Sequence, residues 1–297
     1  VMPFAMLFGS MFAFWRLTRS NELVVARAAG ISVWQFLLPG LSIAAAIGII
    51  QVGLFSPIAS VLLAKFERME GVYFRGQVSA LSVSSTGLWL RQGDSNGQAV
   101  IHATRMDQST NELQNVVVFL YQGADKFVGR LDAAAGRLGN GVWLLERVNV
   151  SLPDQPTSFA PTYELPTDLT LERIQDSFAS PDTMSFWDLR GFINTLEKAG
   201  FSAHRHRLHF HAQLAVPLLL CAMVLIAATF SLRPTRRGGT AYMVLGGVIA
   251  GFLLFFISDI VFALGLSATI PAILAAWTPA GVSSMLGAAM LLHLEDG

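Results

Sequence analysis

The sequence predicts a membrane-embedded bundle of α-helices with an all-β domain inserted into it. Hydrophobic residues make up 53% of the 297 residues and charged residues only 13%, which is too apolar for an ordinary soluble domain. Five segments are long and apolar enough to be membrane spans. The region between the second and third of these shows short runs of alternating polar and apolar residues instead, as β-strands do.

Charge and cysteine content exclude further classes of protein. The chain has 20 basic and 20 acidic residues, and the basic residues form no long run, so nothing indicates nucleic-acid binding. Its one cysteine, Cys221, lies in an apolar segment and cannot form an internal disulfide. The sequence holds no GxxxxGK loop followed by Ser or Thr, so a partner must hydrolyse any ATP that the protein uses.

Five apolar segments predict five visible spans, because each holds enough residues to cross a hydrocarbon core of roughly 30 Å. The first segment starts at Val1 without the basic leader or cleavage site of a signal peptide, so we expect a fragment whose N-terminus is missing. Pro39 and Pro57 in the second segment predict kinks or span limits. The predicted spans cover residues 1–15, 34–63, 211–232, 241–264 and 269–292.

Basic residues in short connections predict the orientation of the spans, since such connections stay in the cytoplasm. Three arginines lie within residues 16–27 and three more within residues 233–237, which places both connections in the cytoplasm. Residues 66–207 then lie outside. Arg205 and Arg207 oppose the charge rule there, but a long translocated domain is largely exempt from it.

The external region predicts an all-β domain followed by one helix. Residues 71–163 form short alternating runs separated by SNG, GAD and GNG turns, and six to eight such strands favour a sandwich, a jelly roll or a small barrel. From Ser185, apolar residues recur at helical spacing up to a stop at Gly200, which predicts an amphipathic helix at the outer membrane boundary. The predicted organisation is a pair of spans with a cytoplasmic helix (1–65, helix 20–31), a β domain (66–166), a linker with the amphipathic helix (167–207) and three closing spans (208–297).

The connection between the first two spans predicts a docking helix over residues 20–31. A Ser-Asn pair precedes Glu22 and can cap a helix of about three turns, and Gly30 supplies a left-handed stop. Apolar residues cover nearly the whole circumference, and only Glu22 and Arg27 are charged. Because so short a helix is marginal alone, we expect it to be buried between the spans and a second protein. The alternative is a cytoplasmic loop with solvated charges.

Two arginines and four histidines between residues 204 and 211 raise the question of a metal site. His206 and His209 share a helical face, but no acidic residue or cysteine lies nearby, and the HExxH motif is absent. We therefore expect no metal and no cofactor. Arg205, Arg207, His206 and His209 instead predict donors at the outer mouth of the spans, where they contact lipid phosphates or provide general headgroup anchoring.

Two features of the fourth predicted span indicate further contacts. Gly247 and Gly251 form a small-xxx-small pair, which lets another helix approach closely, either from a partner subunit or from this chain. Asp259 is the only carboxylate well inside a span. It predicts either a hydrogen bond to a neighbouring helix or a role with substrate or ions.

Several motifs occur in a distinctive order along the chain. NELVVARAAGIS follows the first span, and the β domain and amphipathic helix precede three spans that contain FSLRPTRRG and AAWTP. This order resembles the LptF/LptG (YjgP/YjgQ) family of lipopolysaccharide export permeases over essentially all 297 residues. The RHRLHFHAQLAVPL segment and the closing residues are nearer to the LptG branch.

The resemblance implies six spans, the first of which is absent here, and a jelly-roll β domain. It implies a permease subunit, not an enzyme, of an ATP-driven transporter that extracts lipopolysaccharide from the bacterial inner membrane and passes it to a periplasmic β-domain bridge. The implied partners are a cytoplasmic ATPase dimer similar to LptB, a second permease similar to LptF, the single-span protein LptC and the bridge protein LptA. The docking helix would rest in a groove of the ATPase through Glu22, Leu23, Ala26, Arg27 and Gly30.

Other functions are open on the sequence alone. The chain could be the sister permease LptF, or a membrane scaffold whose β domain binds a periplasmic partner, and a membrane enzyme that uses the histidines comes third. The β domain could enclose a dry core or form a groove for acyl chains, and open strand edges would allow another β domain to pair with it. Co-purification with an ATPase would separate the transporter from the scaffold, and a bound metal would support the enzyme.

Overall fold

The computed structural model divides the chain into two units, which are described separately. The membrane unit comprises residues 1–58 and 204–297, and the β unit comprises residues 59–203. The structure describes residues 2–295 except for 71–80, 85–86, 94–96, 108–109, 111, 123–125, 140, 154, 168, 171–173, 175–177 and 233–239. The second group of arginines predicted to be cytoplasmic, within 233–237, lies outside the described residues.

Long helices account for most of the membrane unit. Numbered in chain order, the α-helices are α1 (Met2–Arg19), α2 (Glu22–Ala28), α3 (Val33–Ile50), α4 (Ser56–Glu70), α5 (Phe186–Lys198), α6 (His204–Ser231), α7 (Thr240–Leu266) and α8 (Ala272–Glu295). Among the residues that the structure describes, four segments are long and apolar enough to cross a membrane, and they confirm four of the five predicted spans: Val33–Glu70, His204–Ser231, Val244–Leu266 and Ala272–His293. The fifth corresponds to α1, which has 18 residues and ends with Arg16 and Arg19. A span there stays a prediction.

The second predicted span is one helical segment that joins α3 to α4 through a π-helical turn at Gln51–Phe55. Pro39 lies inside α3, and Pro57 comes just after the π turn, so neither proline ends the span. In a regular α-helix the ring of Pro57 would clash with the carbonyl group four residues earlier. The wider π turn provides room for that ring.

Helix α6 is central in the membrane unit, since it packs against α1, α3, α7 and α8. Most side chains of residues 220–232 are buried. The Ser231 hydroxyl donates to the Met11 carbonyl oxygen at 3.3 Å, and the Thr18 hydroxyl is shared between the carbonyl oxygens of Phe14, at 2.9 Å, and Ser231, at 3.1 Å. These bonds fix α1 against α6. A Cβ atom on Gly48 would lie 2.5 Å from the Pro217 Cα atom, so α3 and α6 cross with their backbones in contact.

The described residues of the β unit form a seven-stranded antiparallel sheet, which confirms the predicted β domain. Each strand pairs with its neighbours in sequence, so the described strands form a meander. Short hairpins return each strand beside the preceding one, and the jelly-roll form that the resemblance implies stays a prediction. The strands are β1 (Leu81–Ser84), β2 (Gly87–Gly93), β3 (Gly97–Asp107), β4 (Glu112–Gln122), β5 (Lys126–Leu138), β6 (Val142–Ser151) and β7 (Ser158–Pro166).

The described sheet ends at β1 on one side and at β7 on the other. Most of the first predicted strand, VYFRGQVSAL, lies outside the described residues. Strand β7 lies at the end of residues 66–166, which the sequence predicts as the β domain. Pro161 is tolerated there because, among the described strands, β7 pairs with β6 alone, and a proline has no amide to offer a central strand. The pairing register skips Pro161 and the facing Arg147, whose φ is 54°.

Helix α5 confirms the predicted amphipathic helix. The Ser185 hydroxyl accepts a hydrogen bond of 3.2 Å from the Asp188 amide and so caps the N-terminus. Gly200, with a φ of 84°, follows the C-terminus, and the Phe201 amide donates to the Leu196 carbonyl oxygen at 2.9 Å. The buried face consists of Leu189, Ile193 and Leu196.

Candidate functional site

The predicted docking helix is present as α2, but it is shorter than expected. It has seven residues, about two turns rather than three. The predicted side-chain cap is wrong: Asn21 adopts a left-handed conformation with a φ of 59°, and no side chain caps the helix. The Asn21 carbonyl oxygen accepts bonds from the amides of Val24 and Val25. The Ser20 hydroxyl donates instead to the Glu22 carboxylate, at 2.8 Å.

The predicted stop at Gly30 is confirmed. Its φ is 84°, a conformation that favours glycine. The Gly30 amide donates to the Arg27 carbonyl oxygen at 3.0 Å, and the Ile31 amide donates to the Ala26 carbonyl oxygen at 3.1 Å. These bonds satisfy carbonyl groups that the end of a helix leaves open. A Cβ atom on Gly30 would meet nothing within 4 Å, so only the backbone conformation requires glycine here.

Helix α2 has one buried and one exposed apolar side. Leu23 is 5% exposed and belongs to the hydrophobic core of the membrane unit. Val24 and Val25 are 62% and 68% exposed. Glu22 and Arg27 are also exposed. The helix is therefore anchored through Leu23 and presents both apolar and charged groups outward. The two valines were not among the site residues predicted from the sequence, although a helical projection separates them from Leu23.

The predicted basic cluster divides between two environments at the start of α6. Arg205 and Arg207 are exposed, whereas His206 is only 5% exposed. His209 hydrogen-bonds the side chain of Gln213 at 2.6 Å. Within the described part of the chain, no three or more His, Cys, Asp or Glu side chains are placed to hold a metal ion. The two arginines are thus the exposed members of this cluster.

A row of polar side chains follows His209 into the membrane unit. Gln213 accepts a hydrogen bond of 3.2 Å from the hydroxyl of Ser56, at the start of α4. One turn earlier in the same segment, the side-chain oxygen of Gln51 is buried and has no hydrogen-bond partner among the described residues. Of this row, His209 was predicted from the sequence as a site residue, whereas Gln51, Ser56 and Gln213 were not. Uncharged glutamines inside apolar segments were the available signal.

The small residues of α7 contact this chain's own α1. A Cβ atom on Gly247 would overlap the Met11 side chain, and one on Gly251 would lie 2.5 Å from Leu7 Cδ2. Of the two occupants expected from the sequence, the structure shows the intrachain one. Asp259 is exposed on the same helix, among exposed apolar side chains that include Phe255, and it forms no ion pair within the described residues.

The sequence is similar to that of a known protein family and to proteins from two bacteria. A family model described as lipopolysaccharide export system permease LptF/LptG matches residues 1–293. The lipopolysaccharide export system permease protein LptG of Escherichia coli (strain K12) is 24% identical over 299 residues, which cover 98% of this chain and 81% of that protein. The LptG protein of Haemophilus influenzae is 21% identical over 291 residues, which cover 93% of this chain and 77% of that protein.

Proposed function

Because the chain belongs to the LptF/LptG family of lipopolysaccharide export permeases, we propose that it is the LptG-type permease subunit of an ATP-driven transporter that extracts lipopolysaccharide from the bacterial inner membrane. Four membrane-capable helices agree with a multi-pass membrane location. Members of the family are permeases, so the chain itself is not an enzyme. The relatives reported above carry the name LptG, which favours this branch over LptF.

The two-sided burial of α2 carries the proposal for energy coupling. Leu23 anchors the helix to the membrane unit, while Val24 and Val25 present apolar surface on the other side. Exposed β-branched side chains beside the charges of Glu22 and Arg27 suit a partner that offers an apolar groove with a polar rim. That partner is a cytoplasmic ATPase dimer similar to LptB, and movement of the ATPase is transmitted through α2.

The substrate contacts are proposed on the opposite end of the membrane unit. Arg205 and Arg207 are exposed at the start of α6, where guanidinium groups suit the phosphates of lipopolysaccharide. Asp259 is an exposed carboxylate among apolar side chains, and such a group requires a polar partner in a membrane. A second permease subunit similar to LptF supplies that partner. Transport also requires that a cavity between the two permease subunits binds the lipid differently in its inward and outward states.

The β unit is proposed to pass the lipid onward. Strand β7 lies at one edge of the meander, and an edge strand can pair with a strand of another β domain. A single-span partner similar to LptC and a bridge protein similar to LptA would continue the path across the periplasm by this pairing. The alternation of buried and exposed residues along the strands leaves one face of the sheet for contact with acyl chains.

The test is reconstitution of the chain with the second permease and the ATPase in vesicles that contain lipopolysaccharide. ATP-dependent release of lipopolysaccharide is expected for the wild type. Glu22→Arg is expected to prevent assembly or to leave ATP hydrolysis without release of lipopolysaccharide. It should be more severe than Glu22→Ala, because the new arginine would face the positively charged group of the ATPase that pairs with Glu22. A complementary charge reversal on the ATPase should restore part of the activity. Wild-type assembly, hydrolysis and release in Glu22→Arg would show that α2 is not the coupling element.

A further inference from the structure

The β unit contains a groove between the second half of α4 and the beginning of α5. Its volume is about 1000 Å³, at the upper end of the range for small-molecule sites. Ala64, Lys65 and Arg68 of α4 line one side, and Trp187 and Phe192 of α5 line the other. No part of the function proposed above uses this groove.

The charges in the groove favour an anionic ligand. Lys65 and Arg68 are three residues apart on α4, so they lie on neighbouring turns of one face, and both are exposed. Neither has an ion-pair partner among the residues that the structure describes. The lining contains one carboxylate, that of Asp188, which accepts a hydrogen bond of 2.5 Å from the Ser185 hydroxyl at the start of α5. The groove therefore has an excess of positive charge.

The sequence of α4 relates the groove to the lipid boundary. Residues 28–64 contain no charged side chain, so Lys65 is the first charged group of the segment as it leaves the hydrocarbon. Tryptophan and basic side chains are the groups that concentrate at membrane–water interfaces. Trp187 is 66% exposed on the opposite wall. Basic and aromatic groups thus face each other across an opening wide enough for part of a lipid.

We propose that this groove binds one anionic phospholipid of the outer leaflet, with its phosphate between Lys65 and Arg68 and an acyl chain along Trp187 and Phe192. The volume suits the headgroup and upper chains of a two-chain lipid. It is too small for a lipid with a sugar head and several acyl chains, which separates this site from the transport path. The bound lipid would hold the end of α4 and the beginning of α5 together at the membrane surface.

Photocrosslinking in nanodiscs tests the proposal on the full chain within its transporter complex. The discs contain phosphatidylcholine with a small fraction of photoactivatable phosphatidylglycerol, and crosslinks are mapped by mass spectrometry. We expect crosslinks within residues 60–68 and 185–195. Each basic group near an anionic lipid strengthens binding about fivefold, so Lys65→Glu with Arg68→Glu should reduce labelling roughly 25-fold or more. The matched control, Arg105→Glu with Lys126→Glu, has the same charge change at exposed sites outside the groove and should label as the wild type does.

A second variant blocks the groove without a change of charge. A Cβ atom on Gly191 would meet nothing within 4 Å, and leucine is a good helix former, so Gly191→Leu should fold and fill the space beside Phe192. It should also abolish the crosslinks. Equal labelling by photoactivatable phosphatidylcholine, or unchanged labelling in the charge-reversed and Gly191→Leu variants, would overturn the proposal. Preferential labelling of the groove by photoactivatable lipopolysaccharide would overturn it as well, and would assign the groove to the transported lipid.

Discussion

The backbone amide of Met106, in β3, donates a hydrogen bond of 2.9 Å to the carbonyl oxygen of Ala199, the residue that follows α5. Gly200 comes next, with a φ of 84°, and a Cβ atom there would overlap the Met106 carbonyl group. Backbone atoms of the two elements are thus in direct contact at the end of α5. No side chain other than hydrogen fits at residue 200 without moving one of the two elements.

Gly200→Ala should therefore destabilise the β unit. The left-handed conformation alone costs a residue with a Cβ atom about 1–2 kcal/mol, and the overlap with Met106 adds to this. Gly191→Ala is the control, because it removes a mid-helix glycine at a position with free space and should stabilise the protein by roughly 0.5–1 kcal/mol. Thermal unfolding in detergent measures both. Equal melting temperatures for the two variants would show that the Gly200 contact does not constrain the fold.

Gly48→Ala should destabilise the membrane unit. The added methyl group would meet the Pro217 backbone, which cannot move aside as a flexible side chain can, and overpacking of this kind costs about 1–3 kcal/mol. Gly281→Ala is the control, since nothing lies within 4 Å of its Cβ position in α8. A detergent-stability assay should show a lower melting temperature for Gly48→Ala alone. The same result for both glycines would contradict the close crossing of α3 and α6.

Gly247→Leu should weaken this chain's own packing rather than its association with a second subunit. The leucine would displace Met11, which is buried in the core of the membrane unit. Met11→Ala alone should cost about 2–5 kcal/mol, but the double variant should be more stable than the sum of the two single changes predicts, because each change compensates the other. Strict additivity of the unfolding free energies would argue against the contact between α7 and α1.

The two sides of α2 should respond differently to substitution. Leu23→Ala removes a buried anchor and should lower the stability of the membrane unit by about 2–5 kcal/mol. Val24→Ser with Val25→Ser changes exposed side chains, so stability should fall by no more than about 1 kcal/mol while co-purification of the ATPase is lost. Melting temperature and pull-down on the same preparations separate the effects. Retained ATPase in the double valine variant would show that the apolar side does not dock.

Arg205→Glu with Arg207→Glu should weaken lipopolysaccharide crosslinking at the start of α6 by roughly 25-fold or more, since each basic group contributes about fivefold near an anionic lipid. Assembly with the partners should survive, because both side chains are exposed. His206→Ala is the comparison variant. Because His206 is buried, this change should lower the melting temperature and leave lipopolysaccharide crosslinking of the folded protein unchanged. Loss of assembly in the arginine variant would indicate a structural role for the arginines.

Local signals made several elements predictable from the sequence. Ser185 and Gly200 predict the two ends of helix α5, because each contacts atoms that are only a few residues away in sequence. Gly30 is recognisable for the same reason. The predicted side-chain cap of α2 is wrong because Ser20 and Asn21 can form several alternative local hydrogen bonds. In the structure Ser20 bonds Glu22 instead of a backbone amide of the helix. The residue types alone do not predict which of the competing local hydrogen bonds forms.

Non-local contacts explain what could not be predicted. The pair Gly247 and Gly251 indicates a close helix approach, but nothing in the spacing identifies α1 as the occupant. The bond between Ser56 and Gln213 joins residues 157 positions apart. A proline-containing segment such as β7 can join a sheet only at an edge position. The order of all the strands decides whether the segment lies at an edge.

The π-helical turn at Gln51–Phe55 also affects how the chain is aligned with its relatives. A π turn accommodates one residue more than an α turn, so loss of one residue there would leave a regular helix on both sides of the gap. Evolution can therefore change the length of this span by one residue while Gly48 stays against α6 and Ser56 stays beside Gln213. An alignment that forbids gaps inside apolar spans would shift every later position of the helix, and Lys65 would then be compared with the wrong residue.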